Sequence, residues 1–148
     1  MNTHPARFAA IALACIMLMG ASCKDKAFQA AAVVIGGLGA SSAFITADVN
    51  ANLANMDAVT AQRLLDLATR LKAAADIVKT ITNDYKSFPS GSRPPLHAVV
   101  APLITAFQDA LNGGLTGIKN AALQQRIRVI LESVNAGLVI ADSALGGS

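Results

Sequence analysis

Between Asn55 and Phe88, apolar residues return every three or four positions. Leu64, Leu67, Leu71, Ala74, Val78, Ile81, Tyr85 and Phe88 carry the pattern, and Leu53, Met56 and Thr60 extend it backwards with small departures. An α-helix places such residues in one stripe, because 3.6 residues complete a turn. A strand would need alternation with period two, which is absent. The spacing therefore predicts an amphipathic helix over about 55–88, roughly nine turns long. One stripe must be covered by something. An intramolecular bundle is the leading expectation, because other apolar segments follow; a coiled-coil or partner-docking seam is the alternative. Asp66 with Arg70, and Asp76 with Lys79, sit at helix spacing on the polar side.

The chain around this helix divides readily. Pro89-Ser90-Gly91-Ser92-Arg93-Pro94-Pro95 cannot continue a helix, so 89–95 is a loop and the expected exposed contact or cleavage point. Leu96, Val99, Val100, Leu103, Ile104, Phe107 and Leu111 form a second stripe. Pro94 and Pro95 suit its first turn, whereas Pro102 lies inside and is expected to kink the helix or delay its start. Asn112-Gly113-Gly114 reads as the C-terminal cap. Over 115–145, Ile118, Ala122, Leu123, Ile127, Ile130, Leu131, Val134, Leu138 and Ala141 make a third stripe. Gly137 lies inside it and suggests a close approach.

The stretch 27–47 is different, because it carries no charge at all. Its length would allow a membrane span, but much of its apolarity comes from Ala and Gly. Gly36, Gly39, Ala40 and Ala43 have small-xxx-small spacing, which permits close helix packing in water or in lipid. A core helix is the leading expectation, with a transmembrane span as the alternative. Val33-Val34-Ile35 before Gly37, Gly39 and Ser42, with Asp57 further along, faintly resembles a dinucleotide-binding turn. That chemistry needs a strand before the glycines and a strand-borne carboxylate, and helical sequence surrounds both. Asn50, Asn52, Asn55 and Asp57 are cap-forming types and mark a break between helices.

Composition agrees with helices. Hydrophobic residues make up 53% of the chain and aromatics only 4%, with no Trp, which suits an Ala- and Leu-rich bundle better than a sandwich. The fold expected is all-α, an up-and-down bundle of three to four helices, forming a single domain over 23–148.

The segment 1–23 carries the clearest address. Arg7 precedes Phe8–Gly20, an uncharged apolar run. Such a run is too short to cross a bilayer as a helix and fits a secretory h-region. Ala21, Ser22 and Cys23 follow. This segment resembles the signal peptide of bacterial lipoproteins, whose lipobox ends in a cysteine that is acylated and becomes the first residue. Gly20 departs from the pattern, where Leu is usual. The resemblance covers 1–23 only and implies removal of 1–22 and lipidation of Cys23. Lys24, rather than Asp, follows the cysteine, which in such proteins implies delivery to the outer membrane facing the periplasm. Cleavage without lipidation, giving a secreted or periplasmic protein, is the alternative. Cys15 would leave with the leader, so no internal disulfide can form.

Little points to chemistry. The formal charge is +3, but basic residues are scattered and no aromatic residues interleave, so no nucleic-acid partner is expected. His97 is the sole histidine after the leader, beside the proline loop, and reads as an exposed or capping residue at a helix start. No spaced ligand pair suggests a metal, no carboxylate pair or nucleophile elbow suggests catalysis, and no cofactor or enzyme activity is expected. The reading that follows is a lipid-anchored envelope protein with a structural or protein-binding role, its partner met by a helix face or by loop 89–95. The alternatives are a carrier of small apolar ligands and a membrane-active protein spanning with 27–47.

Overall fold

The computed structural model describes residues 24–83, 96–113 and 115–144. Four helices account for most of them: α1 (Lys24–Ala51), α2 (Ala58–Asn83), α3 (Leu96–Asn112) and α4 (Ala121–Ala144), with a short 3-10 turn at Leu53–Asn55 between α1 and α2. Among the described residues there is no strand. The fold is all-α, a small four-helix bundle.

Each helix packs on its neighbour in sequence, and the ring closes with α4 against α1; the α1–α2 contact is the most extensive. Consecutive helices run antiparallel. Near the end of α1, Asp48 meets Arg126 near the start of α4. His97 at the start of α3 meets Asp142 near the end of α4. The three-four stripes explain the packing. Leu64, Leu67, Leu71, Ala74, Val78 and Ile81 of α2 are all buried, and so are Leu123, Ile127, Leu131, Val134, Leu138 and Ala141 of α4. Phe107 of α3 is completely buried and is the largest side chain at the centre. Burying a side chain of this class contributes about 1.5–3 kcal/mol, so these stripes hold the bundle together.

Two glycines mark close approaches. A methyl built at Gly39 would lie 2.7 Å from the Cβ of Ala75, so α1 and α2 touch nearly backbone to backbone. At Gly137 the same methyl would lie 3.0 Å from a methyl of Leu38, in line with the close approach expected there.

Helix ends differ from the sequence reading. The segment 27–47 lies in a longer helix, Lys24–Ala51. The stripe predicted to begin near Asn55 starts its helix at Ala58, because Met56 is extended and Asp57 caps the first turn. Residues 84–88, predicted to complete it, lie outside the described residues, as does loop 89–95. Pro102 does not delay α3, which starts at Leu96 and runs through it. Pro102 and Ala98 both face solvent, so the carbonyl that loses its N–H partner can be satisfied by water. Residues 115–120, expected to be helical, form a turn and bridge before α4. The polar-side charges also pair differently. Asp76 bonds Lys72 rather than Lys79, and Asp66 accepts from Gln62 Nε2 at 2.9 Å.

Candidate functional site

The starts of α2 and α4 are bolted side by side at one end of the bundle. Asp57 donates its N–H to the Gly117 carbonyl at 2.9 Å, and Lys119 donates to the Asn55 carbonyl at 2.8 Å. Met56 and Ile118 form an antiparallel bridge between these segments and are both buried. Each segment then caps its helix. Asp57 Oδ1 accepts from the Thr60 N–H at 2.6 Å, and Asn120 Oδ1 accepts from the Leu123 N–H at 3.0 Å. Gln124 Nε2 closes the turn on the Leu115 carbonyl at 2.9 Å. The Thr60 backbone N–H, then the Thr60 hydroxyl, hold the Asp57 carboxyl below its ordinary value, with a smaller contribution from the charge of Arg63. Gly117 has no room for a side chain, since a methyl there would overlap Thr60 Oγ1 and Asp57 Oδ2. This end satisfies its own polar groups and is a structural clasp.

An ion pair and a histidine–carboxylate hydrogen bond, both long-range, tie other helices to α4. Arg126 Nε and Nη2 each donate to a different Asp48 carboxylate oxygen at 2.8 Å, a fork that fixes the end of α1 on α4. His97 Nδ1 lies 2.6 Å from Asp142 Oδ1, with the His97 side chain 54% and the Asp142 side chain 15% exposed. His97 thus lies at a helix start, as expected, and is held by a partner 45 residues away that its sequence neighbourhood does not announce. A histidine–carboxylate pair could support proton transfer if a nucleophile faced the other ring nitrogen; none is placed there among the described residues. No group of three or more metal-ligating side chains occurs among the described residues.

The faint dinucleotide-type pattern does not form its turn. Gly37, Gly39 and Ser42 lie inside α1, and Ser42 Oγ donates to the Gly39 carbonyl at 2.6 Å. Val33, Val34 and Ile35 before them are helical too, so these glycines form no strand-to-helix turn that could cradle a phosphate. Asp57 is committed to the clasp.

The surface that stands apart is the outer side of α1. Val33 is 74% and Phe44 67% exposed. Gly36, Gly37, Ala40, Ala43 and Ala47 are exposed between and beyond them, on the same side of the helix. Ala30–Ala51 is long and apolar enough to cross a membrane. Its opposite side is committed to the bundle, where Ala31, Ala32, Ile35, Ile45 and Val49 are buried. Beside the outer strip runs an open groove of about 730 Å³ between α1 and α2, floored by Gly36, Gly39 and Ala75 and walled by Lys72, Asp76 and Lys79. A second open groove of about 890 Å³, between α2 and α3, is lined by charged residues including Arg63, Asp66, Arg70 and Asp109. Both open to solvent along their length, unlike the enclosed apolar cavities that hold small lipophilic ligands.

The predicted lipidation residue, Cys23, lies outside the described residues; α1 begins at the next residue, Lys24. Sequence reasoning saw the absence of charge over 27–47 but not which side faces out. Only the packing of α2 and α4 decides that. Compared with models of protein families, with curated proteins and with solved structures, the chain matches none of them.

Proposed function

We propose that this chain is a lipid-anchored protein of the bacterial cell envelope, cleaved after Ser22, acylated on Cys23, and carrying a helical bundle with a structural or protein-binding role. The observation that carries the reading is the sequence of 1–23: Arg7, the uncharged apolar run Phe8–Gly20, and Ala21-Ser22 before Cys23. Two or more acyl chains, at about 0.8 kcal/mol per buried methylene, hold a protein this size on a membrane without a spanning helix. Lys24 after the cysteine favours delivery to the outer membrane, facing the periplasm. The test is fractionation of cells producing wild type and Cys23→Ser. The wild type sediments with membranes and the variant is released; a variant that remains fully membrane-bound contradicts the anchor.

A second reading rests on α1. Its length and apolarity would let 27–47 span a bilayer. To do so it would have to withdraw Ile35, Ile45 and Val49 from the core, leaving the facing stripes of α2 and α4 uncovered. Alkaline carbonate extraction of the Cys23→Ser form separates the two readings. A span stays in the pellet, whereas a bundle helix leaves with the soluble fraction.

A further inference from the structure

We infer that the outer strip of α1 is a phospholipid-contacting face, laid against the bilayer that carries the anchor. The inference deepens the anchor reading and takes its placement from it.

Cys23 directly precedes Lys24, the first residue of α1. An acylated Cys23 has no linker between the bilayer and this helix, so α1 is the helix held nearest the lipid. The chemistry of the strip suits that place. Val33, Gly37, Ala40, Phe44 and Ala47 recur at spacings of four and three, are exposed, and carry no charge. An in-plane helix of this kind puts its apolar side into the headgroup boundary and leaves its polar side to water; here the rest of the bundle supplies the polar side. Two of the three hydroxyls of α1, those of Ser42 and Thr46, are satisfied within the helix. Thr46 Oγ1 donates to the Ser42 carbonyl at 2.8 Å, and Ser42 Oγ to the Gly39 carbonyl. They bring no unpaired donor to a water-poor boundary, which would be costly. The rim beside the strip holds Lys72, Asp76 and Lys79 of α2; Lys72 is paired with Asp76, and the long stem of Lys79 can carry its charge to a phosphate group.

A second copy of the chain is the competing occupant, and its area argues against it. From Val33 to Ala47 the strip is about 21 Å long and one helix, about 10 Å, wide. The resulting patch, about 200 Å², is far below the roughly 800 Å² per partner of a stable protein interface. A bilayer needs no such matched area.

The test uses chain 23–148, which keeps every described helix and has Cys23 as its sole cysteine. Carrying Phe44→Trp, it is coupled through Cys23 to a maleimide phospholipid in vesicles of phosphatidylethanolamine and phosphatidylglycerol, with or without brominated acyl chains. The chain has no tryptophan of its own, so the new indole reports alone. Its emission shifts to the blue and falls about twofold or more with bromine, as for a ring at the acyl boundary. Val59→Trp, at an exposed position lining the other groove, gives an indole that bromine leaves unchanged. An unquenched indole at 44, equal quenching at both positions, or a blue shift without quenching overturns the inference; the last outcome means that protein, such as a second copy, covers the strip. Chemical coupling keeps this test separate from natural acylation. Failure of the anchor reading appears in the native protein's mass, and failure of the face appears here.

Discussion

α1 and α2 lie against each other, are nearly equal in length and contribute similar inner faces, yet their outer faces differ in charge. α2 turns Gln62, Asp66, Arg70, Lys72 and Asp76 to water beside the exposed Val59 and Ile77, with an ion pair and a side-chain hydrogen bond along the helix. α1 turns out Val33, Phe44 and a run of Gly and Ala. The inner faces obey the same rule, since each must bury apolar surface against a neighbour. The outer faces answer to whatever lies outside the bundle. For α2 that is water. For α1 no fold requirement explains the lack of charge, so its outer composition is the part of this chain that points to surroundings.

Breaking an inner face should have the largest effect. Leu71 is fully buried in the α2 stripe, and Leu71→Ala should cost about 3 kcal/mol in urea unfolding. A loss under about 1 kcal/mol would mean the stripe is not packed as described. At the α1–α2 crossing, Gly39→Val should cost about 2 kcal/mol, because even its Cβ would lie 2.7 Å from the Ala75 Cβ, which cannot swing aside like the end of a flexible side chain. The outer face should respond in the other direction. A methyl at Gly36 or Gly37 meets nothing within 4 Å, so Gly36→Ala and Gly37→Ala should each stabilise the bundle by about 1 kcal/mol through helix propensity. Phe44→Asp should change stability by no more than about 0.5 kcal/mol, since the ring is mostly exposed. A large loss would show that Phe44 belongs to the core.

The smallest effect concerns the clasp, and it sharpens the contrast by showing polar groups used within the fold. Asp57 has a carboxyl pKa lowered from 3.8, first by the Thr60 N–H. A lowered folded value means the carboxylate contributes stability above the unfolded value of 3.8, which is lost as pH falls through the folded value. Asp57→Asn keeps a capping oxygen and removes the charge. Unfolding midpoints of the two proteins should therefore differ most near neutrality and converge below pH 3.8; a gap that widens on acidification would reverse the sign.

The stripes were legible in the sequence because periodicity is local. Leu64 to Ile81, Leu96 to Phe107 and Leu123 to Ala141 need only a count of spacings. The helix ends were less legible, because distant contacts set them. The N–H of Lys119 bonds the Asn55 carbonyl across the bundle, and that pairing makes 115–120 a clasp rather than a helix. A local sign was present in Asp57 and Asn120, both good cap residues three places before an N–H they satisfy. The Arg126–Asp48 fork, 78 residues apart, left no local sign. The uncharged character of 27–47 was readable, but its outward side was not, because helical position alone does not say which side the neighbours cover.

The intact mass of the membrane-extracted native protein tests the central claim most directly. The account predicts a chain beginning at Cys23 and heavier than the polypeptide by a diacylglyceryl group, with or without a further acyl chain on the amine. A chain still carrying Met1–Ser22, or one beginning at Cys23 with an unmodified thiol, would contradict it.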